Sequence, residues 1–319
     1  MRILLVKMSS LGDVVHMLPA LTEAASHIPT LKIDWVVEEA FSAVPAWHPS
    51  VNRVIPVAFR TWRNAFCAKQ TWRKFPDFMR SLRQSSYDLV LDAQGLLKSG
   101  VVAMLGRGKR AGHDFATARE GIASLFYKYR YHASWNQHAI LRNRSLTAQA
   151  LGYSMGEEDL FSYGVTPPAA GILNLPRPYV LALHGTARLE KEYSEADWWE
   201  LIGHINAMSF AVLLPWGNER ERSRAERLAA GREAQVLPRL SLAELAAVLS
   251  QATGVVGVDT GLLHLTAAFR RPGIGLYPTT PPARFGAKSE PGAPRIENLA
   301  TAADLVAAEA ARRLRNLLL

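Results

Sequence analysis

The chain opens with "MRILLVKMSSLGDVVHMLPALTEA" (Met1–Ala24). Ile3-Leu4-Leu5-Val6 is an unbroken apolar run rather than an alternating one, which predicts a strand buried on both faces. "MSSLGDVV" (Met8–Val15) follows as a polar loop. Beyond it Val14, Leu18, Leu21, Ala25 and Ile28 fall at helical spacing and predict one buried helix face. Pro19 inside that pattern predicts either a kink or a later true start. Strand, loop and helix in this order form half of a parallel βα unit. Asp13 stands at the mouth of the turn. As local physics reads it, it is a helix cap, part of a phosphate loop, or a catalytic base.

The same alternation runs on. Strands are expected near 3–7, 33–38, 53–57 and 88–92 in the first half of the chain. "TPPAAGILNLPRP" (Thr166–Pro178) is rich in proline and reads as a linker. After it, strands are expected near 179–184, 210–214 and 254–258, with helices near 195–208, 219–230, 241–251 and 262–269. The expected organisation is an N-terminal domain over 1–165, a linker over 166–178, a C-terminal domain over 179–300 and a terminal helix over 301–319. The fold class is α/β, two Rossmann-like doubly wound domains facing across a ligand cleft.

A single cysteine, Cys67, cannot close an internal disulfide, which fits a reducing compartment. Lys7 interrupts the first apolar run too early for a signal peptide, and no stretch approaches the roughly 18 apolar residues of a membrane span. A cytoplasmic protein is expected. The net charge of +9 is uneven: residues 1–165 carry 20 Lys/Arg against 13 Asp/Glu, so an anionic partner is expected at that half. The densest part is "FRTWRNAFCAKQTWRKFPDFMRSLR" (Phe59–Arg83), where Arg60 and Arg63 suit phosphates or carboxylates and the tryptophans suit a membrane interface. Bases of a nucleic acid, or an ordinary solvated helix face, fit the same composition.

Neither G-x-G-x-x-G nor a Walker loop is present, and no His/Cys/Asp/Glu set has metal-ligand spacing, so no metal is expected. "GVVGVDTGLLHLTAAF" (Gly254–Phe269) carries a strand into a helix through Asp259, Thr260 and Gly261. Backbone N–H groups at such a start can seat a phosphate, with His264 one turn in. An N-cap and a packed histidine explain the same residues equally well. "LALHGTARLEKEYS" (Leu181–Ser194) supplies His184, Thr186 and Lys191, the last able to neutralise a leaving phosphate or simply to be solvated. In "LLPWGNERERSRAERL" (Leu213–Leu228), Glu221 could hold a ribose hydroxyl or serve as a first-turn carboxylate. "DAQGLLKSG" (Asp92–Gly100), with Gln94 and Lys98, and Arg119 in "ATARE", form a second polar set.

Taken with "IDWVVEEAF", "RVIPVAFRTWR", "YDLVLDAQGLLKS" and "ATAREGIASLFY", these segments resemble the ADP-heptose:lipopolysaccharide heptosyltransferases almost end to end. The resemblance implies a GT-B fold and an inverting, metal-independent transfer. The donor implied is ADP-L-glycero-D-manno-heptose, as substrate rather than cofactor, and the acceptor is the Kdo of Kdo2-lipid A. By the same resemblance Asp13 is the base. Thr186, Lys191, Glu221, Asp259, Thr260, Gly261 and His264 hold the donor, with Lys191 also stabilising the leaving diphosphate. Arg60 and Arg119 match the family's acceptor-side residues, and Ser10, Gly12, Arg63, Gln94 and Lys98 are expected to face the acceptor with them. The place implied is the cytoplasmic face of the inner membrane, with no nucleic acid as partner. Three other readings remain: a transferase adding the second heptose, a nucleotide-sugar hydrolase, and a non-catalytic anion-binding protein. The chain departs from the family pattern at Thr186-Ala187, at Glu192-Tyr193 after Lys191, and over 278–292.

Overall fold

The apolar run Ile3–Val6 is a strand, fully buried within its sheet. The computed structural model describes residues 1–59, 69–169, 174–186 and 189–319. Arg60, Arg63, Cys67 and Ala187 lie outside the described residues. The chain divides into two units, Met1–Val165 and Thr166–Leu319.

Unit one holds β1 (Arg2–Val6), β2 (Lys32–Glu38), β3 (Val51–Val57), β4 (Tyr87–Asp92), β5 (Gly108–His113) and β6 (Tyr129–Tyr131). They form a six-stranded sheet in the order β3-β2-β1-β4-β5-β6, with every pair parallel. Unit two holds β7 (Tyr179–Leu183), β8 (Ala211–Leu214), β9 (Ala234–Val236), β10 (Gly254–Val258), β11 (Gly273–Leu276) and β12 (Ile296–Leu299). Their order is β12-β11-β10-β7-β8-β9, again all parallel. Counted from its own first strand, each sheet has the doubly wound order 3-2-1-4-5-6. Strand order therefore reverses between β1 and β4 in one unit and between β7 and β10 in the other. Ligands of open α/β sheets bind beyond the carboxyl ends of strands at such points.

Pro19 marks a shifted helix start rather than a kink. A short helix, Leu11–Val15, ends at His16, and a second, Leu18–His27, begins with Pro19 in its first turn, where a missing N–H costs nothing. The terminal segment also differs from expectation: 301–306 is a turn and the helix is Ala307–Leu318. Its Ala307, Ala310, Ala311 and Leu314 join Trp198, Leu201 and Ile205 of the helix Glu195–Ala207 in the core of unit two. Among the described residues no helix is long and apolar enough to cross a membrane.

At the opposite end of the first sheet from its switch point, the fully buried Asp34 gathers a polar cluster. It accepts from Arg2 (3.0 Å), Arg53 (2.9 Å), the Tyr87 hydroxyl (3.0 Å) and Asn52 (2.8 Å). Burial and the Asp34 charge raise the Tyr87 phenol to about 12. Asp34→Ala leaves two guanidinium groups facing each other without their anion. A loss of about 3 kcal/mol is expected, at the low end for a broken buried pair because both arginines reach solvent. The urea midpoint of the variant checks this.

Candidate active site

In unit one the carboxyl ends of β1 and β4 lie side by side, with Val6 in register with Asp92. The loop after β1 is clasped by Gln94. Its Oε1 accepts from Met8 N (2.9 Å) and Ser9 N (3.1 Å), and its Nε2 donates to the Ser9 carbonyl (2.6 Å). Ser10 is the N-cap of the helix Leu11–Val15. Asp13 turns back onto it, its Oδ2 accepting from Ser10 N (2.8 Å) and Ser10 Oγ (3.1 Å). This is half of a capping box. Both bonds use Oδ2, so Oδ1 has no hydrogen-bond partner among the described residues. Gly12 lies inside the short helix, buried, and its carbonyl accepts from His16 N (2.9 Å).

Asp92 is fully buried. Its Oδ1 accepts from Gln94 N (2.8 Å) and Gly95 N (3.1 Å) and its Oδ2 from the Tyr127 hydroxyl (2.6 Å). Burial nevertheless pushes its carboxyl above the usual range. Asp92 thus shapes the loop that carries Gln94. Arg119 is exposed, and its backbone lies against Gly95, where an added Cβ would meet Arg119 N at 3.1 Å. Gly95 also needs its positive φ of 69° for this turn. Lys98 is exposed on the helix Leu97–Leu105.

Two basic residues here escape a reading by motif. Lys7 ends the first strand run and is buried, its Nζ donating to the Ala93 carbonyl (2.9 Å). Burial lowers its pKa, and the nearby Asp13 charge opposes that shift. Arg142 is buried against the Trp135 ring (3.5 Å to the centroid) and donates to the Thr117 and Ala133 carbonyls. The only signal for Lys7 is a lysine that interrupts a buried strand run, a costly place for a charge without a role.

In unit two the matching point is β7 beside β10, with Leu183 in register with Gly257. The loops after these strands meet at Asp259. Thr186 Oγ1 donates to the Asp259 carbonyl (3.2 Å) and Lys191 Nζ to Asp259 Oδ2 (2.5 Å). Thr260 is the N-cap of the helix Gly261–Ala268, and its side chain makes no capping bond. The N–H groups of Gly261 and Leu262 open that helix, joined by a lysine and a threonine from the loop after β7. That set can hold an oxyanion. His264 is buried in the same helix. Glu221 lies against Gly185, where a Cβ would come 3.0 Å from its carboxyl carbon. It is turned onto its own loop, accepting from Gly217 N (2.7 Å) and Asn218 Nδ2 (2.9 Å).

His184, expected to reach the ligand side, is fully buried behind the loop. Burial, with the Arg224 guanidinium close by, lowers its pKa from 6.5 to about 4. A depressed folded-state pKa gives stability that is whole above pH 6.5 and is lost as the pH falls toward 4. On the order of 3 kcal/mol should go over that window. Unfolding midpoints at neutral and acid pH should separate more for the parent than for His184→Asn; equal slopes would mean an ordinary histidine.

Among the described residues no group of three or more His, Cys, Asp or Glu side chains could hold a metal ion. Residues 76–309 match the family described as glycosyltransferase family 9 (heptosyltransferase). Lipopolysaccharide heptosyltransferase 1 of Pseudomonas aeruginosa is 49% identical over 292 residues, 90% of this chain and 81% of that protein. The structure of E. coli heptosyltransferase WaaC with ADP superposes with a TM-score of 0.87 at 41% identity, covering 100% of this chain and 99% of that one. The structure of E. coli ADP-heptose lps heptosyltransferase II gives a TM-score of 0.77 at 18% identity, covering 100% and 98%, a likeness of fold alone.

Proposed function

The chain belongs to glycosyltransferase family 9, the heptosyltransferases, and from that premise we propose that it moves L-glycero-D-manno-heptose from ADP-heptose to the Kdo of Kdo2-lipid A. It is a GT-B glycosyltransferase of lipopolysaccharide core synthesis. Heptosyltransferase 1 relatives at 46–49% identity favour the first heptose over the second.

One observation carries the assignment of the donor side. Thr186 and Lys191 both reach Asp259, immediately before a helix start, at the switch point of the second sheet. On this reading the ADP diphosphate takes the N–H groups of Gly261 and its neighbours, with Lys191 countering the charge that appears as ADP leaves. Glu221, beside Gly185, meets the ribose, and His264 contacts the diphosphate. On the acceptor side, Asp13 Oδ1 removes the proton from a Kdo hydroxyl as that oxygen attacks the anomeric carbon. Attack opposite the departing ADP inverts the centre in one displacement. Gln94 holds the Ser9–Ser10 loop in place, and Ser10, Gly12, Lys98 and Arg119, with Arg60 and Arg63, meet the acceptor sugars and phosphates. No step in this scheme uses a metal, and the site of action is the cytoplasmic face of the inner membrane.

Mass analysis of Kdo2-lipid A incubated with the protein and ADP-heptose tests the reading. A gain of one heptose is expected. Release of ADP without a mass gain would make it a hydrolase. A gain only on an acceptor already bearing heptose would make it the second transferase.

A further inference from the structure

On unit one the helix Leu97–Leu105 exposes an apolar stripe. Leu97, Val101 and Met104 fall at i, i+4 and i+7, on one face, and are 48%, 36% and 46% exposed. The turn Gly121–Phe126 lies alongside and exposes Ile122 (59%) and Leu125 (68%), and Phe115 nearby is 67% exposed. These side chains belong to one surface. Gly100 lies so close to the Phe126 ring that a Cβ would approach it to 2.6 Å, Leu97 N donates to Glu120 Oε2 (2.6 Å), and the Phe115 ring lies over Gly121. Single exposed apolar residues are ordinary, but a contiguous set of this kind marks an interaction site.

Cations frame it. Lys98 on the helix itself and Lys128 and Arg130 just after the turn are exposed, and Arg130 Nε is fixed to the Ser124 carbonyl (2.9 Å), next to Leu125. From Leu97 to Tyr131 the chain carries seven Lys/Arg against two Asp/Glu. Both acids are engaged locally: Asp114 with Thr117 and His132, and Glu120 with the Leu97 N–H.

We infer that this face docks on the anionic surface of a bilayer, the apolar side chains entering among the lipid headgroups while the basic frame meets their phosphates. Apolar area and electrostatic attraction to anionic lipid add in binding of this kind. A second copy of the chain would set like charge against like and is the poorer occupant. The inference rests on the lipid-anchored acceptor proposed above. Leu97 comes three residues after Gln94 in the loop assigned to that acceptor, so a docked unit would present the loop at headgroup level. It involves other residues than Phe59–Arg83, where sequence alone put the membrane contact, although the helix Lys69–Arg83 lies beside it, Arg83 Nε donating to the Leu105 carbonyl (3.1 Å).

Flotation of the full chain with vesicles tests it. Binding to phosphatidylglycerol/phosphatidylethanolamine vesicles, and little to phosphatidylcholine alone, is expected. Ile122→Ser/Leu125→Ser and Lys128→Glu/Arg130→Glu should each lower the partition about tenfold, with melting temperature close to the parent's. Both double variants should modify a deacylated, water-soluble acceptor as the parent does, but a vesicle-embedded acceptor more slowly. Unchanged partition in both, equal binding to neutral vesicles, or a dimer that Ile122→Ser/Leu125→Ser dissolves without altering flotation would overturn the docking face. Failure to modify any acceptor would instead remove the acceptor assignment, and flotation would still decide the face.

Discussion

Asp13→Asn is expected to lose a factor of about 10² to 10⁴ in kcat, the range of a general base, while melting close to the parent. The choice of asparagine follows from the structure. Asp13 also caps its helix, with Oδ2 accepting from Ser10 N and Ser10 Oγ. An asparagine carbonyl can accept both bonds, but it cannot take a proton. Asp13→Ala removes cap and base together. It should cost about 1 kcal/mol of stability besides the activity, a shift of a few degrees in melting temperature. Turnover by ADP release and melting by calorimetry, on the same two variants, separate the roles. Parental turnover in Asp13→Asn would leave Asp13 as a cap and nothing more.

The elements that carry the candidate site were the most legible in the sequence, for a physical reason. β1, β7 and β10 sit at the centres of their sheets, are covered on both faces, and so read as unbroken apolar runs. The edge strand β3 and its neighbour β2 were also legible, as was β8, but β5, β6, β9, β11 and β12 did not stand out. β5 reads "GKRAGH" and β6 "YRY", and their strand state comes from pairing with a neighbour rather than from their own composition. The helix starts just before Asp13 and at Gly261 were legible because a loop had to follow each strand. That Lys191 meets Asp259 was not, since the partners are 68 residues apart and only the β7–β10 pairing joins them. Lys7 shows the same limit: its burial depends on β4 lying beside β1, which no local spacing states. Glu221 shows the converse. Asn218 and Glu221 form a local capping pair, so its bonds to Gly217 and Asn218 followed from spacing, while its position against Gly185 did not.

Lys191→Ala should cost about 10² to 10³ in kcat/KM, the scale of losing one preorganised charge at a developing anion. The geometry adds a sharper expectation. Lys191 Nζ is 2.5 Å from Asp259 Oδ2, and the two side chains are 23% and 13% exposed. A carboxylate at the threshold of a diphosphate seat repels the ligand unless a cation stands beside it. Removing Lys191 therefore does two kinds of harm: the attraction to the phosphates goes, and the Asp259 charge is left uncompensated in a site partly shielded from water. Asp259→Asn in the parent should be mild, a few-fold, because Lys191 keeps its charge for the ligand. In the Lys191→Ala background the same change should restore ADP affinity by about tenfold, since it removes the repulsion. Calorimetric titration of ADP into the parent, both single variants and the double variant closes the cycle. A double variant no better than Lys191→Ala would show that the pair is not coupled through the diphosphate. Strict additivity would move the seat of the leaving group away from Asp259.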